Sequence, residues 1–214
     1  MGEEILQKLK QSVLAYDQTA AVDWARKAVE ASIDPLRALD VLTEAIREIG
    51  EGFGKGDLFL PDMVGAADAM KAATPILEAA IERSGGKRET VGTVVLGTVY
   101  GDIHDIGKAM VATLMTAQGF KVLDLGVNIT AEQFLAAVRE TRPEILAMSS
   151  LLTTTAPEMK KVIDKLKSEG LREKLKVMVG GGAITESFAA GIGADGYDPT
   201  AVGGAVLARH LVGK

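Results

Sequence analysis

The chain has 214 residues, 47% hydrophobic and 25% charged, with mean hydropathy slightly above zero, which suits a protein that buries a core rather than a disordered tail. Its net charge of −5 is spread along the sequence with no basic stripe for a phosphate backbone, and no apolar run is long enough for a bilayer, so nucleic acid and membrane are excluded as partners. The absence of cysteine removes disulfides, thiolate metal sites and a Cys nucleophile, and two histidines, His104 and His210, exclude a metal held by several imidazoles.

The first residues, Met1-Gly2-Glu3-Glu4-Ile5, are acidic and amphipathic rather than a secretion signal, so a cytoplasmic protein is expected. From Glu3 to about Arg83 apolar residues recur at spacings of three and four: Ile5, Leu6, Leu9, Val13, Leu14, then Val22, Trp24, Ala25, Ala28, Val29. A third helix starts at Asp34-Pro35 and runs through Leu36, Leu39, Leu42, Ile46 and Ile49. Gly50 to Asp57, with glycine at 50, 52, 54 and 56, is expected to break it. A fourth helix follows Leu60-Pro61, giving a four-helix bundle over 1–84, with Trp24 expected inside it. Ser84 to Glu89 reads as a linker, assigned to 85–90.

Beyond the linker, over 91–214, short aliphatic runs alternate with amphipathic segments. The expected strands are 93–97, 121–125, 145–148, 176–179 and 196–197, each followed by a helix, at 105–118, 130–141, 156–169, 185–190 and 200–211. The alternation predicts an α/β fold, a Rossmann-like five-stranded parallel sheet with flanking helices.

Ligands of such sheets bind beyond the carboxyl ends of the strands. The first exit loop reads Thr98-Val99-Tyr100-Gly101-Asp102-Ile103-His104-Asp105-Ile106-Gly107-Lys108. A carboxylate near a histidine can accept a hydrogen bond from one ring nitrogen, fixing the tautomer so that the other nitrogen ligates a metal. Gly107 lets a ligand approach the backbone closely. Taken alone, so short a pattern reads better as a loop histidine and an Asp102 that caps the next helix.

Three elements together resemble the cobalamin-binding domain of corrinoid-dependent methyltransferase systems. Its members include the corrinoid subunits for methanol, methylamines and betaines and the cobalamin-binding region of methionine synthase. Asp102, His104 and Gly107 match its Asp-x-His-x-x-Gly; Ser149-Ser150-Leu151, 42 residues beyond Gly107, matches its Ser-x-Leu; Gly180-Gly181-Gly182 matches its glycine pair. The resemblance implies that His104 is the lower axial ligand of cobalt in cobalamin or a related corrinoid, in the methylcobalamin form during turnover. It implies a relay in which Asp102 bonds His104 and Ser149 bonds Asp102. A nucleotide tail would pass Gly107 and the glycines 180–182, with Leu151 lining its pocket and Asp105, Ile106 and Thr153 also at the cofactor. Gly193-Ala194-Asp195-Gly196-Tyr197, with Ala201 after it, matches the family's last turn near the tail; Tyr100 departs from the family's charged or small residue. The stretch Phe53 to Pro61 resembles the family's helical cap, whose Phe53, Leu60 and Met63 would shield the upper face of the corrin, although Met63 fits a bundle core as well.

The function implied is a methyl carrier in one-carbon metabolism, not a complete enzyme by itself. It would take a methyl group from a substrate-specific methyltransferase and pass it to an acceptor methyltransferase serving tetrahydrofolate or a thiol. Cobalt would cycle between Co(I) and methyl-Co(III), with a reductive activase as a further partner, and 50–56 and 84–90 would act as hinges. Two alternatives share the α/β domain, a cobalamin-sensing regulator and the small subunit of an adenosylcobalamin mutase. The first lacks a DNA-binding segment here, and the second fits poorly with a methyl-capping helical half. His210, near the end of the last helix, and Trp24 carry no assigned function.

Overall fold

In the computed structural model, residues 2–84 and 90–214 are described, and the chain divides into two compact units, Met1–Glu89 and Thr90–Lys214. The linker expected at 85–90 therefore lies almost wholly outside the described residues.

The first unit holds α1 (Gly2–Leu14), α2 (Gln18–Glu30), α3 (Pro35–Lys55) and α4 (Leu60–Arg83). Short acidic caps start the helices: Asp17 accepts the Ala20 amide at 2.9 Å, and Asp34 accepts the Leu36 amide at 3.0 Å with Pro35 at the first helical position. The core is a set of facing stripes, Leu6, Leu9 and Val13 of α1 against Leu39, Leu42 and Ile46 of α3, with alanines of α2 and α4 allowing close approach. Two expectations change. Helix α3 does not break at Gly50; it continues through Gly50, Gly52 and Gly54 and stops only at Gly56, which takes the left-handed φ of 82°. The apolar stripe ending at Ile49 and the α3–α4 packing outweigh the low helix propensity of glycine. Residues 50–55 are thus helical, which removes most of the expected hinge. Trp24 is half-buried, not enclosed, and Lys27 lies over its ring, 4.0 Å from the centroid.

The second unit is a parallel sheet in the order β2-β1-β3-β4-β5, with β1 Thr93–Thr98, β2 Lys121–Asp124, β3 Ile145–Ser149, β4 Lys176–Gly180 and β5 Gly196–Tyr197. The connecting helices are α5 (Ile106–Ala117), α6 (Ala131–Thr141), α7 (Pro157–Ser168), α8 (Glu186–Ile192) and α9 (Ala201–Leu211), with one short 3₁₀ turn at Arg172–Lys174. Strand side chains alternate between faces. Val95, Leu146, Met148 and Val177 form one core with Phe134 of α6 and Met159 and Ile163 of α7. Leu96, Ala147 and Met178 look to the other face, where α5 and α9 pack together. The strand order reverses between β1 and β3, so their exit loops part and leave a crevice. Thr98, Ser149 and Gly180 share one register level, so the loops after β1, β3 and β4 all leave the sheet at the same height.

Candidate functional site

The site is built at this reversal. After β1 the chain turns at Gly101, whose φ of 81° needs glycine, and sends Asp102 inward, where its side chain is fully buried. Asp102 Oδ1 accepts both the His104 amide at 3.0 Å and the His104 ring Nδ1 at 2.7 Å. It is not the cap of the next helix; that position belongs to Asp105, which makes no side-chain capping bond. The His104 side chain stays 47% exposed.

The second carboxylate oxygen of Asp102 reaches across to the loop after β3. It accepts the Leu151 amide at 2.8 Å, the Leu152 amide at 3.3 Å and the Thr155 hydroxyl at 3.0 Å, with the Ser150 hydroxyl at 3.2 Å. Burial alone would raise the Asp102 pKa, but bonds from the His104 amide and ring, the Leu151 amide and the Thr155 hydroxyl outweigh it and hold the carboxyl well below the usual carboxylate range. An ionised Asp102 requires a proton on Nδ1 of His104, which in the neutral ring leaves the lone pair on Nε2.

The relay runs His104–Asp102–Thr155–Ser150, which corrects the expectation that Ser149 bonds Asp102. Ser149 and Ser150 are neighbours at the end of β3, so their side chains leave on opposite sides. Ser150 and Thr155 hydroxyls lie 2.8 Å apart beside the carboxylate, whereas Ser149 lines a cleft of about 270 Å³ with Gly107 and Gly180–Gly182. Leu151 holds Asp102 through its amide, while its side chain, 46% exposed, lies against Gly182, one of the cleft residues. Thr153 is exposed on the turn, and Asp195 lies at the far end of the sheet, accepting the Val177 amide at 2.7 Å.

Gly107 and Gly180–Gly182 line the same cleft. Only glycine fits at 181, where φ is 111° and a Cβ would lie 2.1 Å from the Ser150 carbonyl oxygen. In the helical unit Phe53 and Leu60 are half-buried. Met63 is 1% exposed, on the buried stripe of α4 with Ala66, Met70, Ala73 and Leu77, and is a core residue, not a cap residue. The most exposed aromatic of that segment is Phe59, at 69%, which the spacing argument passed over.

Sequence reasoning also missed three supports of the histidine loop. Asn128, in the left-handed region at φ 58°, donates its amide to the Asp102 carbonyl at 2.9 Å and accepts the Gly101 amide on Oδ1 at 2.8 Å. The buried Thr98 hydroxyl donates to the His104 carbonyl at 3.0 Å. Buried Lys108 pairs with Asp124 and ties the start of α5 to β2. The two segments that meet at Asp102 carry five exposed apolar side chains, Tyr100, Ile103, Ile106, Leu151 and Leu152. Apolar residues interleaved with Asp and His in one loop were the available signal.

Among the described residues no group of three or more His, Cys, Asp or Glu side chains could cage a metal. A metal taken up by His104 would need its other ligands from a macrocycle, and exposed apolar side chains in the segments that meet at Asp102 suit such a partner. The donor set, these apolar side chains and the glycine-walled cleft all fit a corrinoid with an extended tail. Among the described residues no helix is long and apolar enough to cross a membrane.

The B12 binding domain family model matches residues 92–206, and a second B12 binding domain model matches 5–78. A trimethylamine corrinoid protein of Methanosarcina mazei is 40% identical over 200 residues, 93% of this chain and 92% of the relative. A corrinoid protein of Desulfitobacterium hafniense is 41% identical over 212 residues, 98% of each chain. Among solved structures, the methanol:cobalamin methyltransferase complex of Methanosarcina barkeri superposes with a TM-score of 0.86 at 31% identity, covering 98% of this chain and 80% of the other. With its histidine loop, its cleft and its helical unit, this chain belongs to the B12-binding corrinoid proteins of methyltransferase systems.

Proposed function

We propose that the chain holds a corrinoid on Nε2 of His104 and carries a methyl group from a substrate-specific methyltransferase to an acceptor methyltransferase serving tetrahydrofolate or a thiol. The observation that carries the reading is the Asp102–His104 pair at the strand-order reversal, which presents one oriented ring nitrogen in a loop that carries exposed apolar side chains and adjoins an open cleft. Bound there, the corrinoid would supply a cobalt centre able to take up and release a methyl group as it cycles between the +1 and +3 states.

The chain's own residues would do the rest. Asp102 fixes the tautomer of His104; Thr155 and Ser150 keep Asp102 ionised; Gly107, Ser149 and Gly180–Gly182 would flank the nucleotide tail. Phe53 and Leu60 would shield the opposite face, with the helical unit moving aside for each partner. A reductive activase would rescue the oxidised cofactor. The relatives support this division of labour: one is named a trimethylamine corrinoid protein, and a solved relative is a methanol:cobalamin methyltransferase complex. The experiment is reconstitution with hydroxocobalamin followed by gel filtration. Wild-type protein should elute coloured with the spectrum of a histidine-ligated corrinoid, and His104→Ala should lose that spectrum or the colour. Colourless wild-type protein would end the proposal.

A further inference from the structure

The first turn of helix α9 holds two adjacent glycines, Gly203 and Gly204, an unfavourable pair for helical backbone. Gly203 has a reason within the fold. A Cβ there would lie 2.2 Å from both carboxylate oxygens of Asp198, which accepts the Thr200 amide and hydroxyl at 2.8 Å each. Gly204 has no such reason. It is buried, its φ is ordinary for any residue, and a Cβ there would meet no atom within 4 Å. A buried position that faces open space faces a cavity. Gly204 lines the cleft of about 270 Å³, among Leu96, Met110, Ala147 and Met178 on its walls and Gly107 on α5, where a Cβ also meets nothing within 4 Å. These apolar walls suit a flat ring that leaves water.

We propose that Gly204 is the residue that keeps this cleft wide enough for the lower nucleotide of the corrinoid, so that the chain selects corrinoids carrying that heteroaromatic tail over those truncated to the ring. The proposal rests on the corrinoid reading above. A side chain at 204 would project into the space the tail occupies and leave the His104 loop untouched.

The test titrates full-length wild type, Gly204→Ala and Gly204→Leu with hydroxocobalamin and, separately, with cobinamide, which has the corrin ring but no nucleotide, following the absorbance spectrum. Wild type should hold cobalamin at least tenfold more tightly than cobinamide. Gly204→Leu should lose at least tenfold for cobalamin and stay within twofold for cobinamide. Gly204→Ala should lose about threefold for cobalamin alone while its unfolding midpoint equals or exceeds that of wild type, since Ala favours the helix; this variant carries the test should Gly204→Leu fail to fold. Unchanged cobalamin affinity in the variants overturns the proposal, as does a parallel loss of both ligands in a variant that melts like wild type. A wild type that binds both ligands equally overturns the selectivity and leaves the corrinoid reading standing, whereas a wild type that binds neither overturns both.

Discussion

The Thr155 hydroxyl lies 3.0 Å from Oδ2 of Asp102, a carboxylate 53 residues earlier that simultaneously holds His104. Thr155 is 8% exposed and Asp102 fully buried, so water cannot replace the bond. Thr155→Val keeps the shape and deletes one donor to a charged acceptor, which should destabilise the protein by about 1–3 kcal/mol. Thr155→Ser should recover most of that. Ser149→Ala, on the other side of the strand, should stay within about 0.5 kcal/mol of wild type. Urea unfolding of the three variants checks the assignment, and a larger loss in Ser149→Ala than in Thr155→Val would contradict it.

The depressed pKa of Asp102 also sets a pH dependence. Because the folded value lies below the unfolded one of about 3.9, the unfolded chain takes up the proton first as pH falls. The stability contributed by the carboxylate is therefore complete above about pH 5 and is lost progressively as pH drops through 4 toward the folded value. Asp102→Asn has no such group. The gap in unfolding midpoint between wild type and Asp102→Asn should narrow from pH 6 to pH 2.5, and a constant gap would mean that the carboxyl is not held ionised.

The contrast between His104 and Ser149 shows what was legible in the sequence. Asp102, His104 and Gly107 lie within one loop, so local spacing was enough to bring them together. The partner of Asp102 comes from another strand, and two adjacent serines followed by Thr153-Thr154-Thr155 offer five hydroxyls. Which of them meets the carboxylate depends on how the chain turns after Ser149, and a shift of one residue reverses the face. The β-α alternation was legible because periodicity changes sharply from 3.6 to 2; the strand order was not, since it depends on contacts distant in sequence. The length of α3 was not legible for the opposite reason: its local glycine content favours a break, and only the packing of α3 on α4 overrides it.

Gly181 gives a sharper test of the glycine-walled cleft. An alanine there would combine a φ of 111° with a Cβ 2.1 Å from the Ser150 carbonyl, and backbone cannot yield cheaply at that point because the Ser150 amide is bonded to the Gly180 carbonyl at 3.1 Å. Gly181→Ala should lose at least about 2 kcal/mol and weaken hydroxocobalamin binding. Gly191→Ala in α8, where a Cβ meets nothing within 4 Å, should be neutral or stabilising by up to about 1 kcal/mol. Equal unfolding midpoints for the two variants would show that residue 181 tolerates a side chain.

The ion pair of Lys108 with Asp124 should respond asymmetrically to loss of either partner. The Lys108 side chain is 3% exposed and that of Asp124 33%, and Asp124 Oδ1 also accepts the Gly126 amide at 2.9 Å. Asp124→Ala strands an ammonium group that water barely reaches, a change that costs about 3–5 kcal/mol for buried pairs. Lys108→Met leaves a carboxylate that water and one amide still satisfy, and replaces the stem with an apolar chain of similar length, so a loss of about 1 kcal/mol is expected. Because Lys108 follows Gly107 directly and also lines the cleft, Asp124→Ala should shift the start of α5 and reduce corrinoid retention more than Lys108→Met does. Urea unfolding and hydroxocobalamin retention of both variants check the order, and equal losses would mean that the attraction between the two charges, and not the burial of Lys108, sets the cost.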